Sequence, residues 1–238
     1  MMARFPGRRR EAALREQLAD LAARIMIEQG VTDFAQAKRK AAGRLGLGAD
    51  PLLPSNAEVD RARHRYLALY CSEQQPAQVR KLRAAALVAM DLLERFQPRL
   101  TGAVLDGSAV DHSAVCLHLF SDDPLAVELF LGERGIPVRS GSRRLRFDPG
   151  HELLGTRIQF AVDDTEFDLS VLPLDCLRQA PMDPVDGRPM RRANRAAVMS
   201  LLAEPSPGQH PGLPASAADG DGKAAGAAPQ PARPAKGT

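Results

Sequence analysis

The feature that most constrains this chain is a change of period near residue 99. Before it, apolar side chains recur every three or four residues; after it, they fall on alternate residues. The first spacing is that of an amphipathic helix and the second that of a half-buried strand, so the sequence predicts a helical first half and a β-rich second half. Residues 11–29 place Leu14, Leu18, Leu21, Ala22, Ile25 and Met26 along one stripe, and Gly30 supplies a left-handed stop. Asp33 is placed to cap a second helix through Leu45, with Phe34, Ala37, Ala41 and Leu45 inward and Lys38, Arg39 and Lys40 outward. Ser55 and Glu58 have the capping-box spacing that starts a third helix, expected to bury Val59, Ala62, Tyr66 and Tyr70. A fourth helix is expected over residues 77–96, stopped by Pro98.

In the second half, residues 100–105 and 115–120 read as strands on either side of an Asp106-Gly107-Ser108 turn. Asp123 followed by Pro124 opens a short helix closed by Gly135. Two hairpins are expected beyond it. Residues 136–139 and 143–147 would flank Ser140-Gly141-Ser142, and residues 156–162 and 166–172 would flank Asp163-Asp164-Thr165. Asn194 is placed to cap a last helix through Ala203. From residue 204 nearly every residue is Ala, Gly, Pro, Ser or charged, a composition that buries too little apolar surface to offset ordering entropy. The expected fold class is therefore α/β in the α+β sense: a basic segment at 1–10, a helical region at 11–75, a mixed-sheet domain at 76–203 and a disordered tail at 204–238.

Composition narrows the function classes. Aromatic residues are 4% of the chain and Trp is absent, which disfavours base stacking on aromatic platforms. Three cysteines with no CxxC spacing argue against a disulfide framework and a zinc knuckle, and fit reduced thiols in a cytoplasm. The longest uninterrupted apolar run, residues 84–90, is far short of a membrane span, so no membrane partner is expected. Residues 1–48 hold ten Lys and Arg against five acids. That basic lobe suits a polyanion, although a solvated helix surface is the plainer account of it.

The order helix, strand, Leu105-Asp106-Gly107-Ser108, strand, helix, and later strands ending in Glu166-Phe167-Asp168-Leu169 resembles the polymerase β-like nucleotidyltransferases. The resemblance covers roughly residues 77–175. In that superfamily a Gly-Ser turn approaches phosphate, a strand presents Asp-x-Asp, and a later strand adds a third carboxylate; together the carboxylates hold two divalent metals. The resemblance implies nucleotide binding at Gly107 and Ser108 and a catalytic or metal role for Asp168, with Mg2+ needed if the chain is active. It also implies a loss. The Ser-Asp-x-Asp-Leu element reads Ser113-Ala114-Val115-Cys116-Leu117 here, so both bridging aspartates are absent. The segment from Met182 to Met190 and the helical first part resemble uncharacterised bacterial proteins of the same type.

The resemblance leaves three functional readings. The first is a catalytically degenerate nucleotidyltransferase-like protein serving as a nucleotide- or nucleic-acid-binding or regulatory module. The second is an active metal-dependent nucleotidyltransferase that recruits Asp106, Asp111 or Asp122 beside Asp168. The third is an RNA- or DNA-binding module led by Lys38, Arg39 and Lys40. Arg144 and Arg146 fall on one face of an expected hairpin and would grip a phosphate, although charge on an edge strand also serves solubility. Cys116 and His118 share a strand face that the resemblance brings near Asp168, a Cys-His-Asp set for a transition metal; a half-buried strand face is the plainer account of the same residues.

Overall fold

The computed structural model describes residues 6–47, 52–71, 74–148 and 151–204. The expected disordered tail and the first five residues of the basic segment lie outside the described residues, apart from Glu204 itself. Helices α1 (Pro6–Glu28), α2 (Phe34–Arg44) and α3 (Asn56–Tyr70) pack on one another through Leu18, Ala22, Ile25, Ala37, Ala41 and Val59. The small residues let the helices approach closely. Both predicted caps form: the Asp33 carboxylate accepts from the Gln36 N–H, and Ser55 and Glu58 make the reciprocal capping box. Tyr70 departs from expectation, being 71% exposed, because Leu67 takes the inward position on the last turn of α3.

Helix α4 (Gln75–Leu92) and a short 3-10 turn at Glu94–Phe96 lead into the sheet. Its strands are β1 (Arg99–Thr101), β2 (Val115–Phe120), β3 (Arg139–Asp148), β4 (His151–Val162) and β5 (Thr165–Leu172), in the order β1-β2-β5-β4-β3. β2 and β5 run parallel, and every other pairing is antiparallel. Leu100, Leu117, Leu119, Leu169, Val171 and Ile158 point to one face, where α4, α6 (Pro124–Gly132) and α7 (Arg195–Ala203) cover them. Asp123 and Asn194 cap α6 and α7 as their sequence positions predict.

Two expectations are corrected. Residues 100–105 are not a strand: β1 stops at Thr101, Gly102 turns the chain at φ +69°, and Gly102–Asp106 is a short helix, α5. An apolar run of this length does not by itself distinguish helix from strand. Tertiary contacts decide it, because Arg83 on α4 donates to the carbonyl oxygens of Val104 and Leu105 and holds the helical turn. The first expected hairpin is also displaced. Ser140-Gly141-Ser142 lies inside a continuous β3, paired with residues 156–158 of β4, and the chain reverses beyond Asp148 instead. The second hairpin forms where expected but with a tighter turn: only Asp163 and Asp164 make it, Asp163 at φ +50°, and Thr165 already pairs with Val162.

Candidate functional site

Strand pleating puts the intervening residues on the sheet face that α4, α6 and α7 leave open. Register sets Cys116 beside Asp168 and His118 beside Ser170 across β2 and β5, then Asp168 beside Gln159 and Ser170 beside Arg157 across β5 and β4. Five of these six side chains carry charge or polar hydrogen-bonding atoms, and the sixth is a thiol. At the far end of the same face, Phe120, Leu145, Phe147 and Leu172 form a small apolar cluster against Cys176 and Leu177. Arg192 fastens the 3-10 turn Leu174–Leu177 there, donating to the carbonyl oxygens of Cys176 and Leu177.

The Asp168 carboxylate is the centre of the site. Its side chain is 6% exposed, and two guanidinium groups hold it: Arg157 donates through Nε to Oδ1 at 2.9 Å and through Nη2 to Oδ2 at 2.7 Å, and Arg143 donates through Nη2 to Oδ2 at 2.7 Å. The Arg157 contact is the two-pronged geometry in which planar guanidinium and carboxylate match best. It raises the Arg157 pKa further above its ordinary value. Arg143 also donates through Nη1 to Ser170 Oγ at 3.2 Å. Two cations against one carboxylate leave the cluster with a net positive charge.

The neighbouring groups are neutral. His118 is buried, and burial, followed by the nearby Arg192 and Arg143 charges, lowers its pKa to about 3. Its Nδ1 has no hydrogen-bond partner. The Cys116 thiol is raised to about 11, first by burial and then by the Asp168 carboxylate, so it stays protonated near neutrality. A protonated thiol and a carboxylate already committed to two guanidiniums make a poor donor set for a metal. Among the described residues no three His, Cys, Asp or Glu side chains gather to hold an ion. The donor chemistry at Cys116, His118 and Asp168 therefore does not favour the transition-metal set expected from strand parity, and the one carboxylate present does not make a two-metal centre.

Neither a protein-family model, nor a curated protein, nor a solved structure matches this chain.

The other sequence-derived site residues are scattered. Gly107, at φ +85°, ends α5 rather than a strand, and Ser108 turns its N–H and hydroxyl onto Asp106 Oδ1. Asp106 is thereby occupied in its own turn. Asp122 accepts from the Leu174 N–H beyond the end of β2, so it lies more than four strand residues, about 13 Å, from the Asp168 register. Asp111 lines a groove between the end of α1 and the β4–β5 turn, with Gln29, Gly30 and His112 on one side and Asp164 and Glu166 on the other. Lys38 reaches the Pro54 carbonyl at 2.8 Å and is half-buried there, which leaves Arg39, Lys40 and Arg44 as the exposed cations of α2. Arg144 and Arg146 do share a face, but it is the face away from Asp168; Arg144 meets Glu152 at 3.5 Å in solvent. The odd-numbered Arg143 and the unremarked Arg157 are the arginines that reach the carboxylate. Pairing of residue 143 with 155 and of 141 with 157 was the missing information, since it depends on the hairpin register.

Proposed function

We propose that this chain is a nucleotidyltransferase-like module that binds a phosphate-bearing ligand on the open sheet face and does not transfer nucleotides. The observation that carries the reading is the pair of guanidiniums on Asp168, which engage both oxygens of the carboxylate that the resemblance would give to a metal. A divalent ion placed beside Asp168 would face two fixed positive charges, each about 4 kcal/mol unfavourable per unit charge at 4 Å in a partly screened site. An oxyanion meets the reverse situation. Arg143 and Arg157 are 29% and 30% exposed, and each keeps N–H donors that Asp168 and Ser170 do not use. The parallel pairing of β2 with β5 supports the resemblance, because it sets Cys116, at the second aspartate position of the motif, directly beside the third carboxylate position. The helix between β1 and Gly107 departs from it.

Isothermal titration with pyrophosphate and with a nucleoside triphosphate, both in excess chelator, tests this reading. Binding should persist without divalent metal and weaken at least about tenfold in Arg143→Ala, the loss of one charge-assisted hydrogen bond. Asp168→Asn should tighten it, since the amide releases both guanidiniums for the ligand. Metal-dependent transfer of a labelled nucleotide, abolished by Asp168→Ala, would show an active enzyme and overturn the proposal.

A further inference from the structure

β3 forms one outer edge of the sheet. In an antiparallel pair, residues alternate between those whose N–H and C=O meet the partner strand and those whose groups point away. Arg146 establishes which set points away here. Its carbonyl accepts from the Met182 N–H at 2.6 Å, outside the ladder with β4. Ser140, Ser142 and Arg144 share its parity and so present their N–H and C=O groups outward. Among the described residues no further backbone hydrogen bond reaches this edge from outside, and all three residues are exposed.

A groove of about 510 Å3 opens at the start of the same strand, lined by Pro137, Val138, Arg139, Gln159, Ala161 and Phe160. It lies where β4 continues past its last pairing with β3, Gln159 opposite Arg139. Phe160 stacks on Phe167 with ring centroids 4.9 Å apart, giving the groove an aromatic wall. Glu166 also lines it, which favours an uncharged occupant.

Charge selects what would pair with the edge. Arg139, Arg143, Arg144 and Arg146 are four of the ten β3 residues, and Asp148 is its one acid. A second copy added edge to edge would oppose arginine to arginine, the device by which sheet edges resist self-association. Arg143 is committed to Asp168, while Arg139 and Arg146 form no ion pair among the described residues. We propose that the β3 edge is a docking site for an extended acidic segment of a partner protein, added as a further strand with one apolar side chain seated in the groove. Backbone pairing supplies affinity in this mode, and alternate side chains supply selectivity.

The probe is a capped hexapeptide that alternates glutamate with valine and ends in leucine, compared with a peptide of equal charge in which the valines are prolines. With the full chain, the first peptide should bind with Kd of about 100 µM or tighter and the second at least about tenfold more weakly. Hydrogen exchange of the wild-type chain should slow at the Ser140, Ser142 and Arg144 amides when the first peptide is added. Ser142→Pro removes an outward N–H without touching the ladder to β4, so binding should fall at least about tenfold. Equal binding of the two peptides would mean charge attraction alone, and would overturn the proposal. So would no binding at about 1 mM, or protection that misses those three amides. Sedimentation that shows a dimer protecting the same amides would assign the edge to a second copy instead. Should Ser142→Pro fail to fold, the wild-type exchange pattern still decides the question.

Discussion

The two faces of the sheet are built from the same strands and held in different ways. On the covered face, Leu100, Leu117, Leu119, Leu169, Val171 and Ile158 pack against three helices, and each is at most 1% exposed. On the open face, the alternate positions of those strands are Thr101, Cys116, His118, Asp168, Ser170 and Arg157. Apolar burial is non-directional and scales with the area and volume filled, so the covered face depends on how well space is packed. The open face depends on which donor meets which acceptor, because a buried charge without its partner is costly. One face should therefore respond to substitution by volume and the other by chemical identity.

The largest expected effect is on the covered face. Leu117→Ala should cost about 2–5 kcal/mol in urea unfolding, since Leu117 is fully buried and its removal leaves a cavity between β2 and the helices. A loss below about 1 kcal/mol would mean that the helices collapse onto the gap and that the face is loosely packed. On the open face, Asp168→Ala should cost about 2–3 kcal/mol, less than a fully buried pair because both arginines are partly solvated. The sharper test is the triple replacement Asp168→Leu, Arg143→Met and Arg157→Met. It should recover most of that loss, because removing all the charges leaves none uncompensated. If the triple variant is less stable than Asp168→Ala, the cluster contributes more than charge balance and the contrast between the faces needs revision.

The smallest expected effect comes from pH, and it belongs to the open face alone. In the folded chain His118 stays neutral down to about pH 3, whereas its ordinary value is 6.5. Between those values the unfolded chain binds a proton that the folded chain does not, so stability falls as pH drops below 6.5. The slope is about 1.4 kcal/mol per pH unit, or about 2 kcal/mol lost by pH 5. His118→Met keeps the approximate volume and carries no titrating proton. Its urea midpoint should change between pH 7 and pH 5 by correspondingly less than that of the wild type. Equal pH dependence in the two proteins would show that His118 is solvated or protonated in the folded state.

Much of this architecture was legible in the sequence because the signals are local. The caps Asp33, Ser55, Asp123 and Asn194 all form where they were expected, since each needs only a side-chain oxygen within three residues of a free N–H. The Asp163-Asp164 turn and the alternation of β2 and β5 are local in the same sense. The candidate site was legible only in part. Asp168 stood out through the resemblance, and Cys116 and His118 through strand parity, but Arg157 carried no motif, and within the basic run Arg139, Arg143, Arg144 and Arg146 hairpin parity alone favours Arg144 with Arg146.

By itself, then, the sequence determined where the four capped helices α2, α3, α6 and α7 begin and which residues of β2 and β5 face a core. The tertiary structure alone decided that residues 102–106 coil into a helix, that Ser140-Gly141-Ser142 runs straight through β3, and that two arginines close on Asp168. The physical reason is range. Caps, turns and periodicity act within a few residues of chain. The Arg83 contacts that fold α5 span 21 and 22 residues, and the Arg143 contact with Asp168 spans 25. Such pairings exist only once strand register has brought distant segments together, and one residue of slip in that register would turn Arg157 to the opposite face.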